Sequence, residues 1–127
     1  MEIVNSIDSQ KEVSNFMIMF RMILPDLYNH FQEEEINTRE WVLPWFETLL
    51  AKQLPIENVL RLWDRLICMN DIFYVCLAIF VHCKEELEEL EQSEIHAFLH
   101  RLPLLNMDIV LSLANEIRQD YDISEYI

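Results

Sequence analysis

Apolar residues recur along this chain at three- and four-residue steps, the spacing that brings side chains onto one side of an α-helix. Val13, Phe16, Met17, Phe20, Ile23 and Leu24 make the first such stripe, and Ser9-Gln10-Lys11-Glu12 before it has the form of a capping box. A helix from about 9 to 24 is predicted. Pro25 suits the first turn of a second helix with Leu27, Tyr28 and Phe31 on its apolar side, closed by the polar run Gln32 to Glu35. The two helices are expected to meet at a kink. Asn37 or Thr38 can cap a third segment, Arg39 to Lys52, where Trp41, Trp45, Phe46, Leu49 and Leu50 make a wide apolar face. Pro44 interrupts that face, so helix is expected after the proline.

Pro55 starts the clearest amphipathic pattern in the chain, with Val59, Leu62, Trp63, Leu66 and Ile67 on one side and Glu57, Arg61, Asp64 and Arg65 elsewhere. Asp71 can cap the next run, Ile72 to Cys83, which is apolar all round and is therefore expected to be the most enclosed helix. Its tail should continue as an amphipathic extension through the acidic Lys84 to Gln92 stretch, where Leu87 and Leu90 stand three apart. Ser93 opens a short helix with Ile95, Phe98, Leu99 and Leu102 that stops at Pro103, and Ile109, Val110, Leu113, Ala114 and Ile117 define a last one ending near Tyr121. The count is about seven helices, with no internal repeat of fixed period and no low-complexity linker.

Composition sharpens this picture. Glycine is absent, so turns needing a positive φ have no natural residue and hairpin signals do not occur, which favours an all-α fold. With 127 residues, 52% of them hydrophobic, the chain suits one domain, residues 1–127, with a single modest core. A formal charge of −14 repels nucleic-acid phosphates and anionic lipid, leaving a protein partner or a cationic ligand and no nucleic acid. Cys68, Cys76 and Cys83 are an odd number without a CxxC pair, the mark of reduced thiols in a cytoplasmic protein. No secretory signal opens the sequence, and the longest apolar run, Ile72 to Val81, falls short of the roughly 20 residues a spanning helix needs. No transmembrane segment is expected.

Candidate chemistry is sparse. His96 and His100 stand four apart on a predicted helix, and His82 with Cys83 would be needed to complete a zinc site; the ordinary reading is surface histidines. Neighbouring helix positions point about 100° apart, so His82 and Cys83 do not make a base and nucleophile. The acidic residues between Glu85 and Glu94 lack the alternating ligands and glycine of a calcium loop and read as a solvated face. Without glycine there is no phosphate-cradling loop, so any nucleotide belongs to a partner. We therefore assign no catalytic residue, cofactor site or metal site. Trp45 and Trp63 read as core residues whose indole N–H groups need acceptors. Arg61 and Asp64 read as partners in a local or inter-helix ion pair that fixes helix orientation.

From Ile36 the string runs through Trp41, Pro44-Trp45-Phe46 and Leu54-Pro55 to Arg61-Leu62-Trp63-Asp64 and the Phe73 to Val81 run. In order and spacing this resembles the late part of a TBC domain, the family of Rab GTPase-activating proteins. In that family a tryptophan-bearing helix leads through a leucine-proline turn into an arginine-x-tryptophan-aspartate helix and then an apolar one. Trp45, Pro55, Arg61, Trp63 and Asp64 carry this signature and are expected to be structural. The resemblance extends to Leu24-Pro25 through His30-Phe31 and to Phe98 through Pro103, and is strongest over residues 14–105. It implies a single orthogonal helix bundle like the C-terminal subdomain of a TBC domain.

The resemblance also implies a Rab-type small GTPase as partner and a role in vesicle trafficking, in the cytoplasm and peripheral to endomembranes through partners. A full domain supplies an arginine and a glutamine in trans, the guanidinium neutralising charge on the transferring phosphoryl group and the amide orienting water. Both belong to motifs of the N-terminal half, isoleucine-x-x-aspartate-x-x-arginine and tyrosine-x-glutamine. Here Ile23 to Asn29 imitates the first with Asn29 in the arginine's place, and none of Gln10, Gln32, Gln53, Gln92 and Gln119 follows a tyrosine by two. The chain alone is thus expected to be non-catalytic. A helical protein-protein interaction scaffold with no effect on GTP hydrolysis is the alternative, and a metal-dependent enzyme a third. Were half a domain missing, an apolar cut face would predict self-association or aggregation.

Overall fold

The computed structural model describes residues 6–69 and 72–120, and the side chains of 11–64 and 72–120. Eight helices and no strand occur among the described residues: α1 (Ser6–Ile23), α2 (Pro25–Glu33), α3 (Thr38–Thr48), α4 (Ile56–Met69), α5 (Ile72–His82), α6 (Lys84–Glu88), α7 (Gln92–His100) and α8 (Met107–Asp120). The expected cap at Asp71, the side chains of Arg65, Leu66, Ile67 and Cys68, and the end near Tyr121 lie outside the described residues.

α5 is the hub. Its apolar surface is continuous around the axis, so burial requires neighbours on every side, and α1, α3, α6 and α8 supply them. Every residue from Ile72 to Phe80 is buried. The Phe80 ring lies 4.9 Å from Phe20, 5.6 Å from Phe16, 5.7 Å from Phe31 and 5.4 Å from Trp45, mostly edge to face, the arrangement aromatic quadrupoles favour. Four helices are thereby joined at one side chain.

Several boundaries differ from the sequence expectation. α1 is already under way at Ser6, so Ser9 lies inside the helix and its capping box does not form its start. Serine and glutamate are tolerated in the first two turns, and the string is not confined to helix ends. α3 begins at Thr38 and runs through Pro44, with Asn37 in the cap position but no hydrogen bond from its side chain. The proline removes one donor within the helix, and burial of Val42, Trp45 and Phe46 on both sides of it keeps the helix continuous. The expected tail of α5 is broken at Cys83 (φ −101°, ψ 9°), and α6 turns back against α2. That bend buries Leu87 completely while Glu85, Glu86 and Glu89 stay in water. It also gives the eighth helix.

A chain without glycine still uses the left-handed region, at Glu35 (φ 58°), Leu49 (φ 51°) and Leu50 (φ 65°). After α2, Ile36 N–H donates to Phe31 O (2.9 Å) and Glu35 N–H to Gln32 O (3.1 Å), a Schellman pattern in which buried Ile36 closes over buried Phe31. The cost of a left-handed non-glycine residue, about 1–2 kcal/mol, is offset there by the two hydrogen bonds and the apolar contact.

Candidate functional site

The signature residues lie along α3, the turn after it and α4. Trp45 is fully buried, and its Nε1–H donates to the Leu99 carbonyl at 3.3 Å, tying α3 to the end of α7. After α3 the chain passes through Leu49 and Leu50 in the left-handed region, with Leu50 wholly buried. Pro55 precedes α4, and its carbonyl accepts the N–H groups of Asn58 and Val59, both at 3.0 Å. Trp63 then reaches back, its Nε1–H donating to the Leu49 carbonyl at 3.2 Å. Both indoles find acceptors. Trp63 nevertheless stays 40% exposed, so its place in the core is corrected: its indole lies over the surface turn at Leu49, to whose carbonyl it donates.

Arg61 forms its ion pair with Asp108 at the start of α8, and the expected partner Asp64 lies beside them. Three residues along one helix bring Arg61 and Asp64 near each other, but α8 packs on that side of α4 and offers a carboxylate within reach. Arg61, Asp64 and Asp108, with Leu111, Ser112 and Asn115, line an open cleft of about 510 Å³ between the two helices. Both partners of the ion pair are well exposed, so the pair orients more than it stabilises.

Asn58 has no place in the sequence reading. It is buried, its Nδ2 donating to Leu105 O and its Oδ1 accepting from Leu105 N–H, each at 2.9 Å. One amide thus satisfies both backbone groups of a residue 47 positions away and fixes the stretch before α8 against α4. A signal was present: Asn58 stands next to Val59 and four before Leu62, a lone polar residue on the apolar side of an amphipathic helix.

Among the described residues the histidines and cysteines do not converge on one point. His96 and His100 both set their rings edge-on to Trp41, at 5.1 and 6.2 Å, beside a cavity of about 410 Å³ also lined by Glu40, Pro44, Lys52 and Gln53. His82 is exposed on α5. Cys83 is buried, and burial, with Glu86 nearby, pushes its thiol up to about 12; burial likewise raises Cys76. Both thiols are protonated and unreactive at neutral pH. No group of three or more metal-binding side chains comes together among the described residues. Asn29, in the imitation of the arginine motif, lies with Asp26, His30, Glu33 and Glu88 around an acidic hollow between α2 and α6. Gln53 is buried, its Oε1 accepting from Thr48 Oγ1 (3.2 Å) and its backbone O from Leu102 N–H (2.8 Å).

The profile of a family described as the Rab-GTPase-TBC domain matches residues 4–88. Among curated proteins the chain is similar to human TBC1 domain family member 22B, 29% identical over 121 residues, which is 88% of this chain and 24% of that protein. It is also similar to the GTPase-activating protein gyp1 of Schizosaccharomyces pombe, 28% identical over 100 residues, 74% of this chain and 20% of that protein. Among solved structures it superimposes on the crystal structure of the Ypt/Rab-GAP domain of Gyp1p with a TM-score of 0.80 and 27% identity, covering 89% of this chain and 38% of that one. The chain thus spans about a fifth to a quarter of the length of these curated relatives. No helix among the described residues is long and apolar enough to cross a membrane.

Proposed function

The chain belongs to the Rab-GTPase-TBC domain family, and on that premise we propose that it is the portion of a Rab GTPase-activating protein that holds a Rab-type GTPase without supplying the reactive groups. Residues 1–127 act in this reading as one helical domain of the C-terminal type, in which Trp45, Pro55 and Trp63 hold the path from α3 into α4 while Arg61 and Asp64 face α8. The carrying observation is the superposition on a solved Ypt/Rab-GAP domain over most of this chain but 38% of that one.

The chemistry of GTPase activation needs a guanidinium aimed at the γ-phosphate and an amide on the attacking water, together worth about a thousandfold or more. Three of the arginines and one glutamine are engaged in other contacts. Arg61 is held by Asp108, Arg39 donates to Ser14 at 3.3 Å, Arg21 lies over the Tyr28 ring, and the amide of Gln53 is buried. A segment bearing the arginine and tyrosine-x-glutamine motifs would complete the activator, acting in the cytoplasm on vesicle-trafficking GTPases and reaching endomembranes through them.

Single-turnover GTP hydrolysis across a panel of Rab proteins tests this. The chain alone is expected to leave every intrinsic rate within about twofold, and its longest parent polypeptide to raise at least one by about a thousandfold. Acceleration by this chain alone overturns the division of labour. A parent that binds no Rab and accelerates none points instead to the helical scaffold.

A further inference from the structure

The cavity of about 410 Å³ between α3 and α7 falls within the range of roughly 300–1,000 Å³ common to small-ligand sites. Glu40, Trp41 and Pro44 of α3 form one wall, His96 and His100 of α7 the other, and Lys52 and Gln53 of the intervening turn close one end. The two walls are tied together by the fold. Trp45 Nε1–H donates to Leu99 O at 3.3 Å, and Leu102 N–H donates to Gln53 O at 2.8 Å. Within the cavity both imidazoles stand edge-on to Trp41, with ring planes at 72° and 77° to the indole. Three rings braced in this way on two helices are held in place before any ligand arrives.

The polar groups of the lining are left open. Gln53 is only 8% exposed, and Thr48 Oγ1 donates to its Oε1 at 3.2 Å. The two N–H donors of its amide have no partner among the described residues. The Trp41 indole N–H, the Lys52 ammonium and the Glu40 carboxylate also make no hydrogen bond or ion pair among the described residues. Charges in water need none, but an amide so deeply buried loses solvation unless its donors are met from the cavity.

Charge narrows the class of occupant. Lys52 and Glu40 are the charged residues of the lining, with the histidines neutral, and they do not pair with each other. The lining is therefore neutral on a chain of formal charge −14, and a simple anion or cation would leave one of the two facing like charge. A zwitterion satisfies both. The indole, the imidazoles and the Pro44 ring add a wall suited to a flat apolar body. We propose that this cavity binds a free aromatic amino acid, its ring against Trp41 and the two histidines, its carboxylate on Lys52 and the Gln53 amide, and its ammonium on Glu40. This does not rest on the GTPase reading.

The probe is L-phenylalanine, titrated against the full chain and followed by saturation-transfer NMR. Phenethylamine lacks its carboxylate, 3-phenylpropionate its ammonium and L-leucine its ring. A ligand of this size is expected to show a dissociation constant of about 0.1–1 mM, and each analogue to bind about fivefold more weakly or worse. Lys52→Gln should weaken phenylalanine about fivefold without weakening phenethylamine, and Glu40→Gln should weaken it similarly without weakening phenylpropionate. Both side chains are exposed, and circular dichroism checks that the variants remain folded. Absence of saturable phenylalanine binding below about 10 mM overturns the proposal, and so does any of the three analogues binding as tightly as phenylalanine. A variant that weakens phenylalanine and its own control analogue equally has altered the shape of the cavity rather than removed a charged contact, and that result overturns the assignment too.

Discussion

α4 and α5 follow one another in the chain and meet opposite fates. α4 has the cleaner amphipathic pattern, yet Ile56, Leu60 and Trp63 lie outside on it. α5 has no polar side, and its residues from Ile72 to Phe80 are all buried. The difference is in the neighbours. α5 is surrounded by α1, α3, α6 and α8, whereas among the described residues α4 rests chiefly on α8, with one side buried and one presented. Periodicity says which residues of a helix can share a face; the number of helices packed around it decides how many of them leave water.

The largest test of that contrast is Phe80→Ala. Removing a ring that touches aromatic side chains from α1, α2 and α3 leaves a cavity, and the unfolding free energy is expected to fall by about 3–5 kcal/mol in a urea titration. A loss below about 1 kcal/mol would remove α5 from the centre of the fold. Next comes the inner edge of α4. Asn58→Ala strands the N–H and carbonyl of Leu105, and the expected loss is about 2–4 kcal/mol, with faster hydrogen exchange at the Leu105 amide. Unchanged exchange there would mean that the amide clamp does not hold the α7–α8 connection. The smallest effect belongs to the outer row. Leu60→Ser should change stability by no more than about 0.5 kcal/mol, and a loss above about 1.5 kcal/mol would show that the row is packed rather than presented.

Much of this was legible beforehand. The stripe Val13, Phe16 and Phe20 goes inward, the apolar run after Asn70-Asp71 is the central helix, and the order of tryptophans, proline and aspartate pointed to the family that the profile over residues 4–88 matches. What escaped shares one cause. Asp108 stands 47 positions from Arg61, Leu105 the same distance from Asn58, and Leu99 54 from Trp45. A pairing of that range leaves no periodic trace, because it depends on where two helices cross rather than on either helix alone. Trp63 shows the same limit from the other side: its spacing fits the apolar stripe, and its neighbours place it over a turn.

The sequence by itself determined the helices, their apolar faces and the absence of glycine-built loops, since these follow from side-chain spacing and local backbone preference. It also determined the excess of negative charge, which no folding alters. The tertiary structure alone decided that Leu49 and Leu50 turn left-handed under the Trp63 indole and that Arg61 takes Asp108 in place of Asp64. It alone left the outer row of α4 in water. Each of those outcomes is a competition between partners distant in sequence, and only the packed chain sets their distances.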